Sequence, residues 1–317
     1  MRHPGAGDPV LRRMLDERGL DEAPVFVRTP RKVAGADWPS AMTRWTALAK
    51  ERDGPVNPAR SALAPEELTR LIKSRATELD VADSGCAVLT PTMVAEGVEF
   101  DLPNIVSLIV AEDYAKVLGG ALAVEAEAVR VYVRCAEVST ALAAFIRDLG
   151  YRAVAEHNGT GQIQAIPALY ASGLGELGKH GSLIHPIHGA GFRPSFVLTD
   201  APVVLDQPNI FGVQDWCMNC NLCANNCPPA AIPPSGEFIW TEGVKRWLTD
   251  IEKCYQASRL REEYCHICVD VCPYVHKETG DPAKLSLFKA FMAKRRRAGY
   301  RTPAWFLEDE PNVLEKS

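Results

Sequence analysis

The sequence predicts an α+β core followed by a cysteine-rich C-terminal unit. Between about residues 60 and 205, short apolar segments typical of buried strands alternate with amphipathic helical segments. After Pro208 the composition changes to cysteines, tryptophans and short turns. The length of 317 residues is typical of about two domains. We expect an irregular N-terminal segment at 1–60 as a candidate lid, a core at 61–207, a cysteine domain at 208–280, and a C-terminal helix and tail at 281–317.

The elements of the core are indicated by periodicity and by turn residues. A helix is predicted from Ala64 to about Asp80, with a proline in its first turn and apolar residues on one face. Buried strands are predicted at 85–89, 105–110, 152–156 and 196–199, the last two on either side of a glycine-rich segment at 159–191. The longest helix is predicted from Ala121 to Leu149, because apolar residues recur there at spacings of four and three before Gly150 ends it.

Charge and hydropathy exclude several classes of protein. The formal net charge is −5, which argues against a protein whose main task is to bind phosphate backbones, so we expect no nucleic-acid partner. No apolar run approaches the roughly 20 residues that a membrane-spanning helix needs. The Arg12 and Arg13 pair is followed by a charged segment where an export signal needs an apolar one, so a cytoplasmic protein is predicted.

Eight of the ten cysteines form two regularly spaced sets. The first follows the pattern C-x2-C-x2-C-x3-C-P, which is the run of bacterial ferredoxins, and the second ends in C-x2-C-x3-C-P. The first set is Cys217, Cys220, Cys223 and Cys227, and the second is Cys254, Cys265, Cys268 and Cys272. Cys86 falls on a predicted strand and Cys135 on the apolar face of the long helix, so both are expected to be core residues.

This spacing predicts two [4Fe-4S] clusters with interleaved ligands, because three thiolates of such a run bind one cube and the fourth binds its neighbour. The predicted ligands are Cys217, Cys220, Cys223 and Cys272 for one cluster, and Cys227, Cys254, Cys265 and Cys268 for the other. The alternatives are a structural zinc site or a chance grouping, but neither explains the repeated C-x3-C-P ending. Two clusters form an electron path, so the residues before them are expected to hold the terminal electron acceptor.

The order of the motifs resembles that of the corrinoid-dependent reductive dehalogenases over roughly residues 65–280. The resemblance is carried by FIRDLGY at 145–151, by SGLGELGKHGSLIHPIHGAGFRPSFVLTDAPVV at 172–204, and by the double cysteine motif that follows. It is also carried by Trp247, Cys254 and Tyr255, which follow the pattern W-x6-C-Y. Epoxyqueuosine reductase, a tRNA-modifying relative of that family, is similar in its GKH and L-x-D elements.

The resemblance implies a core similar to the nitroreductase fold that holds a base-off cobalamin, with one cluster close enough to reduce the cobalt. The implied corrinoid contacts are Gly173, Leu174, Gly175, Glu176, Leu177, Gly178, Lys179 and His180. The glycines would let the backbone approach the ring. The alternatives are a turn-rich loop or a phosphate-binding loop, although the segment lacks the usual phosphate-binding motifs. A base-off cofactor needs no protein ligand, so surface or supporting roles are expected for His180, His185 and His188.

The family uses a tyrosine as proton donor, and the resemblance places that role on Tyr132, with Asn158 and Arg193 as its companions. Tyr132 follows Val131 of the apolar stripe, so it can face the edge of a pocket, and a cation beside a phenol favours the phenolate. The alternative is that Tyr132 is an aromatic residue of the rim and Arg193 a surface cation. Structural roles are expected for the competing tyrosines, which are Tyr114, Tyr151 and Tyr170.

The leading hypothesis is a cobalamin-dependent reductive dehalogenase that cleaves a carbon–halogen bond of a small organohalide with electrons from the two clusters. The sequence lacks the Tat-type signal and the fused reductase extension of some members, so a separate ferredoxin, flavodoxin or reductase is expected as the electron donor. One alternative is an epoxyqueuosine-reductase-like tRNA-modifying enzyme, against which the net acidity counts. The other is a corrinoid and iron–sulfur electron-transfer protein without dehalogenase activity.

Overall fold

The structure is a computed structural model, and it describes residues 9–21, 38–117, 119, 121–234, 238–241, 244–260 and 265–275. The helix and tail predicted at 281–317 lie outside the described residues. Within the described part, no helix is both long enough and apolar enough to cross a membrane.

A four-stranded antiparallel sheet forms the centre of the core. The strands of the described chain are β1 Asp83–Val88, β2 Asn104–Ala111, β3 Ala153–Glu156, β4 Glu176–Leu177, β5 Leu183–Ile184, β6 Phe192–Thr199, β7 Ile239–Thr241 and β8 Val244–Arg246. The central sheet has the order β1-β2-β6-β3, and β4 with β5 and β7 with β8 form two small hairpins. The four strands predicted for the core are therefore confirmed, and β6 begins four residues earlier than expected because Phe192 to Ser195 continue the ladder with β2.

Helices pack against the sheet, and short helices in the C-terminal unit contain some of the cysteines. They are α1 Pro9–Asp16, α2 Trp38–Lys50, α3 Pro65–Glu78, α4 Tyr114–Val117, α5 Ala121–Asp148, α6 Ala165–Ala171, α7 Val213–Asn219, α8 Leu222–Asn226, α9 Ile251–Ser258 and α10 Ile267–Asp270. The predictions for α3 and for the long helix α5 are confirmed. Gly150 follows α5 with φ of +85°, a backbone conformation that glycine adopts without the steric cost of a side chain.

The apolar stripe of α5 packs on the sheet and forms the main core. Val131, Val138 and Leu142 are fully buried together with residues of β2 and β6. Cys135 belongs to the same cluster, and Cys86 of β1 packs there as well, as expected for core cysteines. Burial raises the pKa of each of these two thiols to about 12, so they stay protonated at neutral pH.

The described part of the N-terminal segment differs from the irregular structure expected for 1–60. Helix α2 is 13 residues long, and its Trp45 and Leu48 pack against Val124 and Ala128 of α5. Pro39 does not prevent this helix, because it occupies the first turn, where a backbone N–H has no intrahelical partner. Burial of a large apolar face on α5 thus outweighs the local proline signal. The role of the segment as a lid stays a prediction.

Candidate functional site

One group of four thiols combines residues from both ends of the cysteine domain. It comprises Cys217, Cys220, Cys223 and Cys272, and we refer to it as the first cysteine group. Burial raises the pKa of Cys272, and repulsion from the other three thiolates raises it further. Burial raises the pKa of Cys223, and repulsion from Cys217 and Cys220 raises it further. Cys272 therefore interacts with the first sequence set, although it is the last residue of the second.

The remaining four thiols form the second cysteine group, which comprises Cys227, Cys254, Cys265 and Cys268. Burial raises the pKa of Cys265 to about 12, and Cys254 and Cys227 contribute to the increase. Cys268 interacts with the other three and also with Cys223, as expected for two neighbouring clusters. These interactions are compatible with the interleaved assignment, and the division of the cysteines between two clusters stays a prediction.

The chemistry of these thiols fits iron–sulfur clusters. A buried thiol with a raised pKa stays neutral on its own, because the low-dielectric surroundings disfavour the thiolate. Bound iron supplies the positive charge that makes the thiolate form favourable. Each cysteine group supplies four thiols, which is the ligand number of a [4Fe-4S] cluster.

A cavity of about 470 Å³ lies beside the second cysteine group. Its lining includes the predicted site residues Tyr132, Asn158 and Arg193. Three residues of the second cysteine group also border it, which are Cys254, Cys265 and Cys268. Apolar side chains from α6, β5 and β6 supply much of the remaining wall. The volume is in the range of ligand pockets, and the combination of apolar walls with a few polar groups is typical of them.

A buried network of charged residues fixes the polar side of the cavity. The Arg193 guanidinium carbon lies 5.0 Å from the ring centroid of Tyr132, and Arg193 Nε donates to Glu112 Oε1 at 2.8 Å. The other oxygen of Glu112 lies 3.4 Å from His266 Nε2, and His266 Nδ1 lies 2.6 Å from Asp270 Oδ1. Burial alone would lower the pKa of His266, but Glu112 and Asp270 outweigh it and raise that pKa. The network connects the cavity to the cysteine domain.

We expect Glu112→Ala to lower the free energy of unfolding by about 3 kcal/mol, because it removes the carboxylate that pairs with the largely buried Arg193 guanidinium. The side chain of Glu112 is 2% exposed and that of Arg193 is 17% exposed. The matched control is Glu78→Ala, which breaks an exposed ion pair with Arg75 and is expected to cost less than about 1 kcal/mol. Chemical denaturation followed by circular dichroism measures both losses. Equal losses in the two variants would contradict the importance of the Glu112 pair.

Two buried histidines border the cavity as neutral imidazoles. Burial lowers the pKa of His180 to about 4, helped by His266, and burial with Arg52 lowers the pKa of His157 to about 4. His180 Nδ1 accepts the backbone N–H of Ser182 at 3.1 Å, so the proton of the neutral ring is on Nε2. His180 Nε2 has no hydrogen-bond partner within the described structure. This donor fits the polar side groups of a large cofactor in the cavity.

The glycine segment contributes less to the cavity wall than the sequence predicts. Of the eight implied corrinoid contacts at 173–180, His180 borders the cavity. A Cβ on Gly173, which has a φ of +74°, would lie 2.5 Å from the Gln207 carbonyl oxygen, and one on Gly175 would lie 2.2 Å from that of Ile184. These two glycines are thus required by close backbone packing. Lys179 is fully buried beside the first cysteine group.

A second tyrosine, which is not among the proton-donor candidates predicted from the sequence, borders the cavity. Tyr255 of α9 follows Cys254 and lies in the cavity lining with Tyr132. The three competitors predicted from sequence lie elsewhere. Tyr151 donates its hydroxyl to the Ser61 carbonyl oxygen at 3.0 Å, Tyr170 is 40% exposed, and Tyr114 packs in the apolar core of the cysteine domain. The position of Tyr255 directly after a predicted cluster ligand is the signal that could have indicated it.

The cysteine domain defines the chain as an iron–sulfur protein. Residues 216–275 match the family model described as "4Fe-4S dicluster domain". This match confirms the prediction of two [4Fe-4S] clusters, and it covers both cysteine groups. The α+β core that precedes this domain supplies the cavity.

Comparisons with individual proteins confirm the predicted resemblance to reductive dehalogenases. The tetrachloroethene reductive dehalogenase of Desulfitobacterium hafniense is 31% identical over 191 residues, covering 57% of this chain and 34% of its own length. That of Sulfurospirillum multivorans is 37% identical over 139 residues, covering 42% and 27%. A solved structure described as "Reductive dehalogenase structure suggests a mechanism for B12-dependent dehalogenation" matches with a TM-score of 0.72 and 22% identity, over 87% of this chain and 44% of that one. The predicted α+β fold is confirmed, and the chain spans about a third of the length of these curated relatives.

Proposed function

We propose that the chain is a cobalamin-dependent reductive dehalogenase of small organohalides. The observation that carries the proposal is the composition of the cavity, which combines Tyr132, Asn158 and Arg193 with three cysteines of the second cysteine group. A proton donor and an electron source thus border the same space. When bound there, a base-off cobalamin supplies the reductive cleavage of the carbon–halogen bond, in which the organohalide takes up two electrons and a proton and releases halide.

The residues of the cavity divide the remaining tasks. Tyr132 Oη holds the proton that the product carbon receives. Arg193 stabilises the negative charge that then develops on the phenol oxygen, and Glu112 fixes the guanidinium in its place through the bond to Nε. Asn158 supplies an amide in the same lining for orienting the substrate. The apolar side chains around them exclude water, which strengthens these electrostatic interactions.

A reconstitution experiment tests the proposed function. The protein is purified without oxygen, loaded with iron, sulfide and cobalamin, supplied with a low-potential reductant, and offered a panel of chlorinated and brominated organic compounds. We expect halide release that requires both cobalamin and the clusters. The matched control is the Cys268→Ala protein, which lacks a ligand of the second cysteine group. Halide release that is equal without added cobalamin would contradict the proposal.

The two alternative functions are outcomes of the same set of measurements. An epoxyqueuosine-reductase-like enzyme binds tRNA, which a gel-shift assay detects, and it releases no halide. An electron-transfer protein binds the cofactors but turns over no small acceptor. The dehalogenase proposal is favoured over both, because the two relatives compared above are named as dehalogenases. A separate ferredoxin, flavodoxin or reductase is proposed as the electron donor, and a cytoplasmic location is proposed with it.

A further inference from the structure

A fully buried lysine lies against the first cysteine group. Lys179 is 0% exposed, and its Nζ donates to Asn221 Oδ1 at 2.8 Å. Asn221 stands between two ligands of the cysteine run, Cys220 and Cys223. The Lys179 Nζ atom also lies 5.6 Å from the ring centroid of Trp247. The ammonium group is therefore enclosed by the loop that holds the thiols.

Among the residues that the structure describes, Lys179 forms no ion pair with a carboxylate. Burying an ammonium group without a compensating anion is costly. The Asn221 amide and the Trp247 ring are both neutral. Glu176, the nearby carboxylate that acts on Cys217, accepts the backbone N–H groups of Phe211 and Val213.

The first cysteine group adjoins Lys179 through Asn221. Asn221, which accepts the hydrogen bond of Lys179 Nζ, stands directly after Cys220 and two residues before Cys223. The ammonium group is thus held against the loop that carries these two thiols. A cluster bound by four thiolates carries net negative charge and would complete the charge balance.

We propose that Lys179 is the charge partner of the cluster held by the first cysteine group and that it raises the reduction potential of this cluster. Reduction adds one electron from the external donor and breaks no bond, so the reduced cluster is the more negative form. A fixed ammonium group stabilises that form more than the oxidised one. In the proposed function, which this inference deepens, the second cysteine group borders the cavity, so the first receives electrons from the donor.

The test is an EPR-monitored reductive titration of the protein with both clusters. In Lys179→Met, we expect about a tenfold smaller ratio of reduced to oxidised first cluster at a given potential, a shift of about 59 mV for one electron. The second cluster should be unchanged, and Cys268→Ala, which lacks that cluster, identifies the titration step that moves. Lys116→Met is the matched control, because Lys116 is 55% exposed and outside the cysteine domain. It should move neither potential.

A second variant separates charge from hydrogen bonding. Lys179→Gln is neutral but keeps a side-chain N–H group for Asn221, so it should lower the potential of the first cluster as Lys179→Met does. An unchanged potential in either variant overturns the proposal. If neither variant assembles the first cluster while the second remains, Lys179 serves assembly and the proposal is also overturned. The titration uses no substrate, so a failed halide-release assay leaves its outcome intact.

Discussion

Cys227→Ala is expected to abolish the second cluster and to leave the first intact, although Cys227 belongs to the first sequence motif. The physical reason is the set of thiols with which Cys227 interacts. Cys227 interacts with Cys265 and Cys268, and its sulfur accepts the backbone N–H of Ala231 at 3.2 Å. Without this ligand, the second cluster has three thiolates in place of four. Iron should fall from about eight atoms per chain to about four.

The reciprocal variant is the matched control. Cys272→Ala removes the last cysteine of the second motif, yet it should abolish the first cluster, because Cys272 interacts with Cys217, Cys220 and Cys223. Cys86→Ala, which changes a buried core thiol, should reduce neither signal. Iron analysis and EPR of the dithionite-reduced proteins distinguish the two clusters. Loss of the first cluster in Cys227→Ala would show that each motif binds its own cluster and would contradict the interleaved assignment.

The sequence predicts the parts of the site that depend on local spacing. The cysteine pattern indicates two clusters because each cube needs several ligands from one short loop. The long helix was predictable from the repeat of apolar residues, and its register places Tyr132 beside the buried stripe. These features are encoded within segments of the chain that fold against their own neighbours.

Glu112 could not be predicted in this way, because its role depends on strand pairing. It follows β2, while its partner Arg193 lies on β6, 81 residues further along the chain. The two meet because Val110 pairs with Arg193 in the antiparallel ladder. A shift of the register by one residue would place Arg193 on the other face of the sheet. His266 reaches the same carboxylate from the cysteine domain, which no local pattern of the core specifies.

The glycine segment at 173–180 was predicted to contact the corrinoid, but its sequence alone does not show which of its residues border the cavity. Glycine permits close approach of any group, and the sequence does not say which. In the structure, Gly173 and Gly175 accommodate the backbones of Gln207 and Ile184. Lys179 is likewise placed by the cysteine domain that packs against it, through Asn221. The packing of the two units decides which residues of 173–180 border the cavity.

Tyr132→Phe is expected to lower the turnover number for halide release by about 10²- to 10⁴-fold, the usual contribution of a general acid. The substitution removes one hydroxyl group and keeps the ring. This ring packs edge-on against Trp45, with 6.1 Å between the ring centroids, and the Arg193 guanidinium lies over it. The fold and the binding of cofactors should therefore be unchanged. Because the proton is needed after the substrate has bound, KM should change much less than the turnover number. Steady-state halide release with the reconstituted protein measures both constants.

The hydroxyl of Tyr255 is the most stringent control, because it belongs to the other tyrosine of the cavity lining. Tyr255→Phe should reduce the turnover number by less than tenfold, since the guanidinium carbon of Arg259 lies 6.0 Å from its ring centroid, compared with 5.0 Å for Arg193 and Tyr132. A larger loss in Tyr255→Phe than in Tyr132→Phe would transfer the proton-donor role to α9. Arg259, which follows α9, would then be the cation that stabilises the phenolate. Glu112 and Arg193 would lose their proposed part in the reaction.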